Sequence, residues 1–111
     1  MTVYEVKSLA EFHEIISKHP IVALDATASW CGPCKIISPV FERYMILSND
    51  ETLSDKVYFA KFDVDEVGDL AQELGIRAMP TFTFFKGGEK AAEFVGANPP
   101  ELTRTLATVI E

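Results

Sequence analysis

The stretch Trp30-Cys31-Gly32-Pro33-Cys34-Lys35 holds both cysteines of this 111-residue chain and separates them by two residues. One helical turn starting here would bring the two sulfurs within bonding range. A cysteine at a helix start faces free backbone N–H groups and the positive end of the helix dipole, and both stabilise a thiolate. Pro33 suits this place, since a proline in the first turn loses no needed hydrogen bond. The pattern therefore predicts a redox-active dithiol at the start of a helix.

Zinc binding is the alternative, because Cys-x-x-Cys is also half of a zinc site. The chain has no second cysteine pair, and its two histidines, His13 and His19, lie on or beside an amphipathic helix. We therefore expect redox chemistry without a bound metal, and surface positions for both histidines.

Length and charge narrow the class of protein. A chain of 111 residues predicts one domain over 1–111 with its own core. The net charge of −7 argues against a nucleic-acid partner. No apolar stretch approaches the ~20 residues that span a bilayer, and the N-terminus resembles neither a secretory signal nor a mitochondrial presequence. We expect a cytoplasmic monomer with no membrane partner; a processed organellar form is the alternative.

Hydrophobic patterning predicts the element order β-α-β-α-β-α-β-β-α, which is typical of an α/β fold with a mixed sheet. Ser8 and Glu11 predict a capping box at the first helix. The predicted strands cover 2–6, 21–26, 57–64, 81–85 and 89–95. The first predicted helix starts at Ser8, and the second starts at the cysteines and continues to about Leu47 with a bend at Pro39. The third starts at Asp65 or Glu66 and ends at Leu74, capped by Gly75, and the fourth starts at Pro99. A polar loop is predicted over 48–56.

Asp25 and Lys61 are charged residues in or at the end of apolar strands. Asp25 lies six residues before Cys31, where burial of an unpaired carboxylate would be costly. A strand-end residue facing solvent is the alternative. If the two strands are neighbours, Asp25 and Lys61 can pair near the dithiol. Asp25 would then relay protons to Cys34, the resolving thiol.

The cysteine hexapeptide is similar to the active-site signature of the thioredoxin family. Asp25 and Lys61 match the family's buried aspartate and the lysine often paired with it. The segment 75–81 resembles one whose proline, here Pro80, is cis and faces the active site. The segment 94–97 resembles the glycine loop that lets a substrate backbone approach. The resemblance covers nearly the whole chain, and the run at 63–66 resembles eukaryotic cytosolic members.

This resemblance implies a thioredoxin fold, with a central five-stranded mixed sheet flanked by four helices. It implies a protein-disulfide reductase of redox homeostasis that needs no cofactor, in which Cys31 attacks and Cys34, the more buried sulfur, resolves. The implied partners are thioredoxin reductase and disulfide-containing proteins of the peroxiredoxin or reductase type. The implied substrate groove consists of Trp30, Gly32, Pro33, Met79, Pro80, Val95 and Gly96.

Two other functions are open at this point. Oxidases and isomerases of the same fold usually carry a histidine between the cysteines, whereas Gly32-Pro33 supplies no such charge, which favours reduction. A redox-independent binding module could use the same groove to hold a partner enzyme.

The sequence departs from the family pattern in two places. Ala26-Thr27-Ala28-Ser29 stands where aromatic residues are usual, which predicts looser packing beneath the active site. The stretch 45–56 is about five residues longer than usual, an inexpensive change in a surface loop. Phe82, Phe84 and Phe85 are expected in core and edge-strand packing.

Overall fold

The computed structural model describes residues 3–48 and 57–111, and its element order is the predicted one. The strands are β1 (Tyr4–Glu5), β2 (Ile21–Thr27), β3 (Val57–Asp63), β4 (Thr81–Lys86) and β5 (Glu89–Val95). The helices are α1 (Leu9–Lys18), α2 (Gly32–Ser48), α3 (Gly68–Leu74) and α4 (Pro99–Ile110). Of the loop predicted over 48–56, Ser48 instead ends α2, and the remainder lies outside the described residues.

The five strands form one mixed sheet in the order β1-β3-β2-β4-β5. The apolar strand β2 is central, parallel to β3 and antiparallel to β4. Asp25 on β2 stands in register with Lys61 on β3, so the two predicted partners are neighbours across the sheet. The predicted α/β architecture is confirmed.

Apolar side chains cover both faces of this sheet, because β2 and β3 present bulky residues in both directions. On one face, α2 and α4 pack Ile37, Phe41, Leu102 and Leu106 against Phe59, Phe82 and Phe84. On the other face, α1 and α3 pack Phe12 and Leu70 against Leu24, Phe62 and Phe85. The three phenylalanines of β4 are buried in these cores, as predicted. Within the described ranges, no helix combines the length and apolar character that crossing a membrane requires.

The first helix begins as predicted, with one difference in its cap. Ser8 is the N-cap, and its hydroxyl accepts a hydrogen bond from the Glu11 N–H at 3.1 Å. The Glu11 carboxylate accepts from the Lys7 N–H at 2.7 Å, one residue before the position that a capping box uses.

The third helix begins later than predicted, at Gly68 rather than at Asp65 or Glu66. The Asp63 carboxylate accepts hydrogen bonds from the N–H groups of Asp65 and Glu66, at 2.8 and 3.3 Å. These bonds hold residues 64–66 in a turn, since an aspartate can bond the backbone two residues ahead. Gly75 ends α3 in the left-handed conformation, as predicted, with φ +68°.

Candidate active site

Cys31 and Cys34 form a disulfide where the chain leaves β2 and enters α2. The Cys34 N–H, one of the free donors at the helix start, lies 3.2 Å from the Cys31 sulfur. The Cys31 N–H donates to the Ala28 carbonyl at 3.1 Å, which fixes the turn before the helix. Cys31 and Cys34 are 4% and 2% exposed, so the predicted difference in burial is small in the disulfide form. The predicted position of the dithiol at the helix start is confirmed.

The loop before β4 lies directly against Cys31. The Met79 carbonyl oxygen is 3.6 Å from the Cys31 sulfur, and the Met79–Pro80 peptide bond is cis, as the resemblance implies. The Pro80 carbonyl accepts a hydrogen bond from the Gly96 N–H at 2.9 Å. Gly96 has a φ of +114°, which a side chain would strain. These contacts tie the ends of β4 and β5 to the dithiol.

The residues predicted to form the groove differ in exposure. Trp30 is 66% exposed and Val95 is 59% exposed, which is high for apolar side chains of this size. Met79 is half-buried and packs against the buried cluster of Ala28, Cys31 and Cys34. Of the remaining groove residues, Pro80 is buried, Gly96 is half-buried, and Gly32 and Pro33 are exposed. The disulfide thus sits beside exposed apolar side chains that a partner could cover.

The Trp30 side chain is held by a residue that sequence analysis missed. Its indole Nε1 donates a hydrogen bond to the Asp65 carboxylate at 2.8 Å. Asp65 lies in the turn after β3, and the carboxyl ends of the parallel strands β2 and β3 share one edge of the sheet. That shared edge is the signal that could have suggested the contact. The bond fixes the indole orientation while leaving its face exposed.

Asp25 is buried beneath the disulfide rather than facing solvent, so the solvent-facing alternative is wrong. It is 2% exposed, and its Oδ1 atom has no hydrogen-bond partner among the described residues. Burial raises the pKa of Asp25 to about 7, and the positive charge of Lys61 opposes that rise. A carboxyl group with such a pKa exchanges protons near neutral pH.

A cavity of about 220 Å³ connects Asp25 with the back of the dithiol. Its lining includes Cys34, Lys61 and Thr27, together with Glu5, Ala28, Ser29, Lys35, Ser38, Phe62 and Asp63. Three residues of the segment predicted to be loosely packed, Thr27, Ala28 and Ser29, line this cavity. Ala26, the first residue of that segment, does not line it and is buried in the core on the α1/α3 face of the sheet.

Both histidines are engaged with groups other than the cysteines. His13 is exposed and bonds the Glu73 carboxylate at 2.8 Å, whereas His19 is half-buried and stacks on Tyr58 with the ring centroids 3.9 Å apart. Over residues 3–48 and 57–111, no three His, Cys, Asp or Glu side chains are grouped as metal ligands.

Both the sequence and the fold of this chain are similar to those of known thioredoxins. The thioredoxin family model matches residues 3–108. A thioredoxin of Malassezia sympodialis is 48% identical over 101 residues, which are 91% of this chain and 92% of that protein. A crystal structure of Malassezia sympodialis thioredoxin superposes with a TM-score of 0.88 at 43% identity, covering 100% of this chain and 96% of the other.

A second solved structure concerns thiol resolution in a yeast mitochondrial 1-Cys peroxiredoxin through the glutathione and thioredoxin systems. It superposes with a TM-score of 0.86 at 33% identity, covering 96% of this chain and 94% of the other. The family match includes all five strands, most of α4 and the Cys31–Cys34 pair. The chain is therefore a thiol–disulfide oxidoreductase that belongs to the thioredoxin family.

Proposed function

We propose that this chain is a protein-disulfide reductase that acts in the cytosol and is recycled by a thioredoxin reductase. The observation that carries the proposal is the position of the Cys31 sulfur. It receives a helix N–H at 3.2 Å and lies beside the exposed apolar residues of the groove. The first feature stabilises a thiolate, and the second gives an extended substrate segment a surface to bind.

The reaction would proceed in two thiol–disulfide exchanges. In the first, the Cys31 thiolate attacks one sulfur of the substrate disulfide, and the other substrate sulfur leaves as a thiolate that takes up a proton. In the second, the Cys34 thiolate attacks Cys31 and releases the second substrate sulfur. The substrate gains two electrons and becomes a dithiol, while the reductase is left as the Cys31–Cys34 disulfide.

Asp25 would serve the second exchange. Cys34 must lose its proton before it can attack, and Asp25 lines the same cavity. A carboxyl group whose pKa is about 7 can accept that proton and pass it to solvent. Lys61, in register with Asp25, favours the charged form that accepts the proton.

The experiment that tests the proposal is insulin reduction with dithiothreitol as the electron source, followed by turbidity as the freed chains precipitate. The native protein should accelerate precipitation well above the rate with dithiothreitol alone. Cys31→Ser should reduce the acceleration to background, because the nucleophile is lost. Ser17→Ala, a change on the exposed face of α1, serves as the control and should keep the native rate. A native protein that gives no acceleration would contradict the proposal.

A further inference from the structure

Three neighbouring strands place charged residues in one row beneath the active site. Glu5 on β1 stands in register with Lys61 on β3, and Lys61 stands in register with Asp25 on β2. Side chains at paired positions of parallel strands point to the same face, and all three residues line the cavity under α2. Since adjacent strands lie ~4.8 Å apart, Lys61 has one carboxylate on each side at similar backbone distance.

The two carboxylates differ in their surroundings. Asp25 is 2% exposed and its Oδ1 has no partner in the described chain. The Glu5 side chain is 41% exposed, and one of its oxygens lies 3.3 Å from the Lys7 ammonium, which is itself 65% exposed. Exposed ion pairs of this kind contribute little free energy, so the contact with Lys7 leaves Glu5 able to interact with Lys61.

The other charged groups around Asp25 either bond elsewhere or face solvent. The titratable groups that face the cavity are Glu5 from β1, Lys61 and Asp63 from β3, and Cys34 and Lys35 from α2. Asp63 accepts two backbone hydrogen bonds in the turn after β3. Lys35 is exposed, and β4 places the uncharged Phe82 beside Asp25. Glu5 is therefore the carboxylate best placed to compete with Asp25 for Lys61.

We propose that Glu5 shares the Lys61 ammonium with Asp25 and thereby controls how readily Asp25 accepts the Cys34 proton. The link to Cys34 rests on the reductase function proposed above. Glu5 acts through Lys61, so it is a positioning residue rather than a catalytic one. When Lys61 leans toward Glu5, Asp25 loses its counter-charge and holds its proton more tightly. When the Glu5 charge is removed, the Lys61 ammonium interacts with Asp25 alone. Asp25 then ionises at lower pH.

The test is an NMR titration of the Asp25 carboxyl carbon in the reduced protein between pH 4 and 10. The variants are Glu5→Gln, Lys61→Gln and the double variant, which together form a double-mutant cycle. Glu93→Gln is the matched control, because Glu93 also lies on an edge strand and also pairs with a neighbouring lysine at 3.3 Å. The titration needs no substrate, so its result is independent of whether insulin is reduced.

We expect Glu5→Gln to lower the Asp25 titration midpoint by about 0.5–1 pH unit, the size expected when the Lys61 counter-charge moves about 2 Å nearer to Asp25 in a partly solvated site. With Lys61→Gln already in place, the shift should fall to less than half. The pH profile of insulin reduction should move in the same direction as the NMR midpoint. A shift no larger than that of Glu93→Gln would overturn the proposal. An equally large shift in the Lys61→Gln background would also overturn it, because Lys61 would not be the coupling group.

Discussion

At the scale of single residues, the main unfavourable contribution to folding in this site is the burial of the Asp25 carboxyl group. It is 2% exposed and one of its oxygens has no hydrogen-bond partner within residues 3–48 and 57–111, which is unfavourable for folding. The same burial raises its pKa to about 7, which suits proton transfer near neutral pH. The chain thus keeps a destabilising group at the place where the proposed reaction needs a base.

Asp25→Asn should stabilise the fold and slow insulin reduction. The native state holds a proton on Asp25 up to about pH 7, whereas the unfolded chain releases it near the ordinary value of 3.8. Native stability therefore falls as the pH rises between about 4 and 7 and is level above that range. The gain from Asn should be small near pH 4 and reach about 1–3 kcal/mol above pH 7. This is less than the roughly 4 kcal/mol of the full shift, because Lys61 loses its partner.

Urea unfolding at pH 4, 6 and 8, together with insulin turnover on the same variant, measures both effects. Asp69→Asn is the control: Asp69 is an exposed aspartate in the first turn of α3, so its removal should give no gain above pH 7. A gain of the same size at every pH would show that Asp25 does not titrate as described. Unchanged turnover would remove the proton-transfer role.

At the scale of elements, the two ends of α3 show what a glycine does in two different conformations. Gly68 starts the helix with no positive φ, whereas Gly75 follows it with φ +68°. Among the residues that the structure describes, no atom beyond the chain neighbours and the helix's own backbone lies within 4 Å of the position that a Cβ would take at either glycine. Any difference between their alanine variants must therefore come from the backbone rather than from steric clashes.

Gly68→Ala should stabilise the protein by about 0.5–1 kcal/mol, because alanine loses less backbone entropy on entering a helix. Gly75→Ala should destabilise it by about 1–2 kcal/mol, because the left-handed conformation is strained for alanine. Thermal or urea unfolding of the two variants measures the difference, and each serves as the other's control. Equal effects of the same sign would contradict the backbone explanation.

Element identity was predictable from the sequence, whereas several element ends were not. The apolar run of β2 and the Gly87-Gly88 turn carry strong local signals, and both elements formed where predicted. The start of α3 was predicted too early, because the Asp63 carboxylate holds the following turn with bonds that compete with a helix. Asn98, which caps α4 by accepting from the Glu101 N–H at 3.1 Å, was also missed, since the two prolines alone suggested the start.

At the scale of the whole molecule, the site depends on strand order as much as on the hexapeptide. The cysteine pair and Asp25 could be found from spacing, burial cost and family resemblance. The row of Glu5 with Lys61 could not, because it depends on which strands pair and in what register. The contact of Trp30 with Asp65 was missed because it forms only once β2 and β3 lie side by side. The cavity beside Asp25 and Cys34 was not predicted either, although Thr27, Ala28 and Ser29, which belong to the segment expected to be loosely packed, are part of its lining.

The measurement that most directly tests the central claim is the trapping of the first exchange intermediate. Reduced Cys34→Ser, mixed with a disulfide-containing protein, should form a stable mixed disulfide, because the resolving sulfur is absent. Mass spectrometry of the proteolysed adduct should place the link on Cys31, and Cys31→Ser should form little or no adduct under the same conditions. An adduct that forms equally well through Cys34 in Cys31→Ser, or no adduct in Cys34→Ser, would contradict the assignment of Cys31 as the attacking residue.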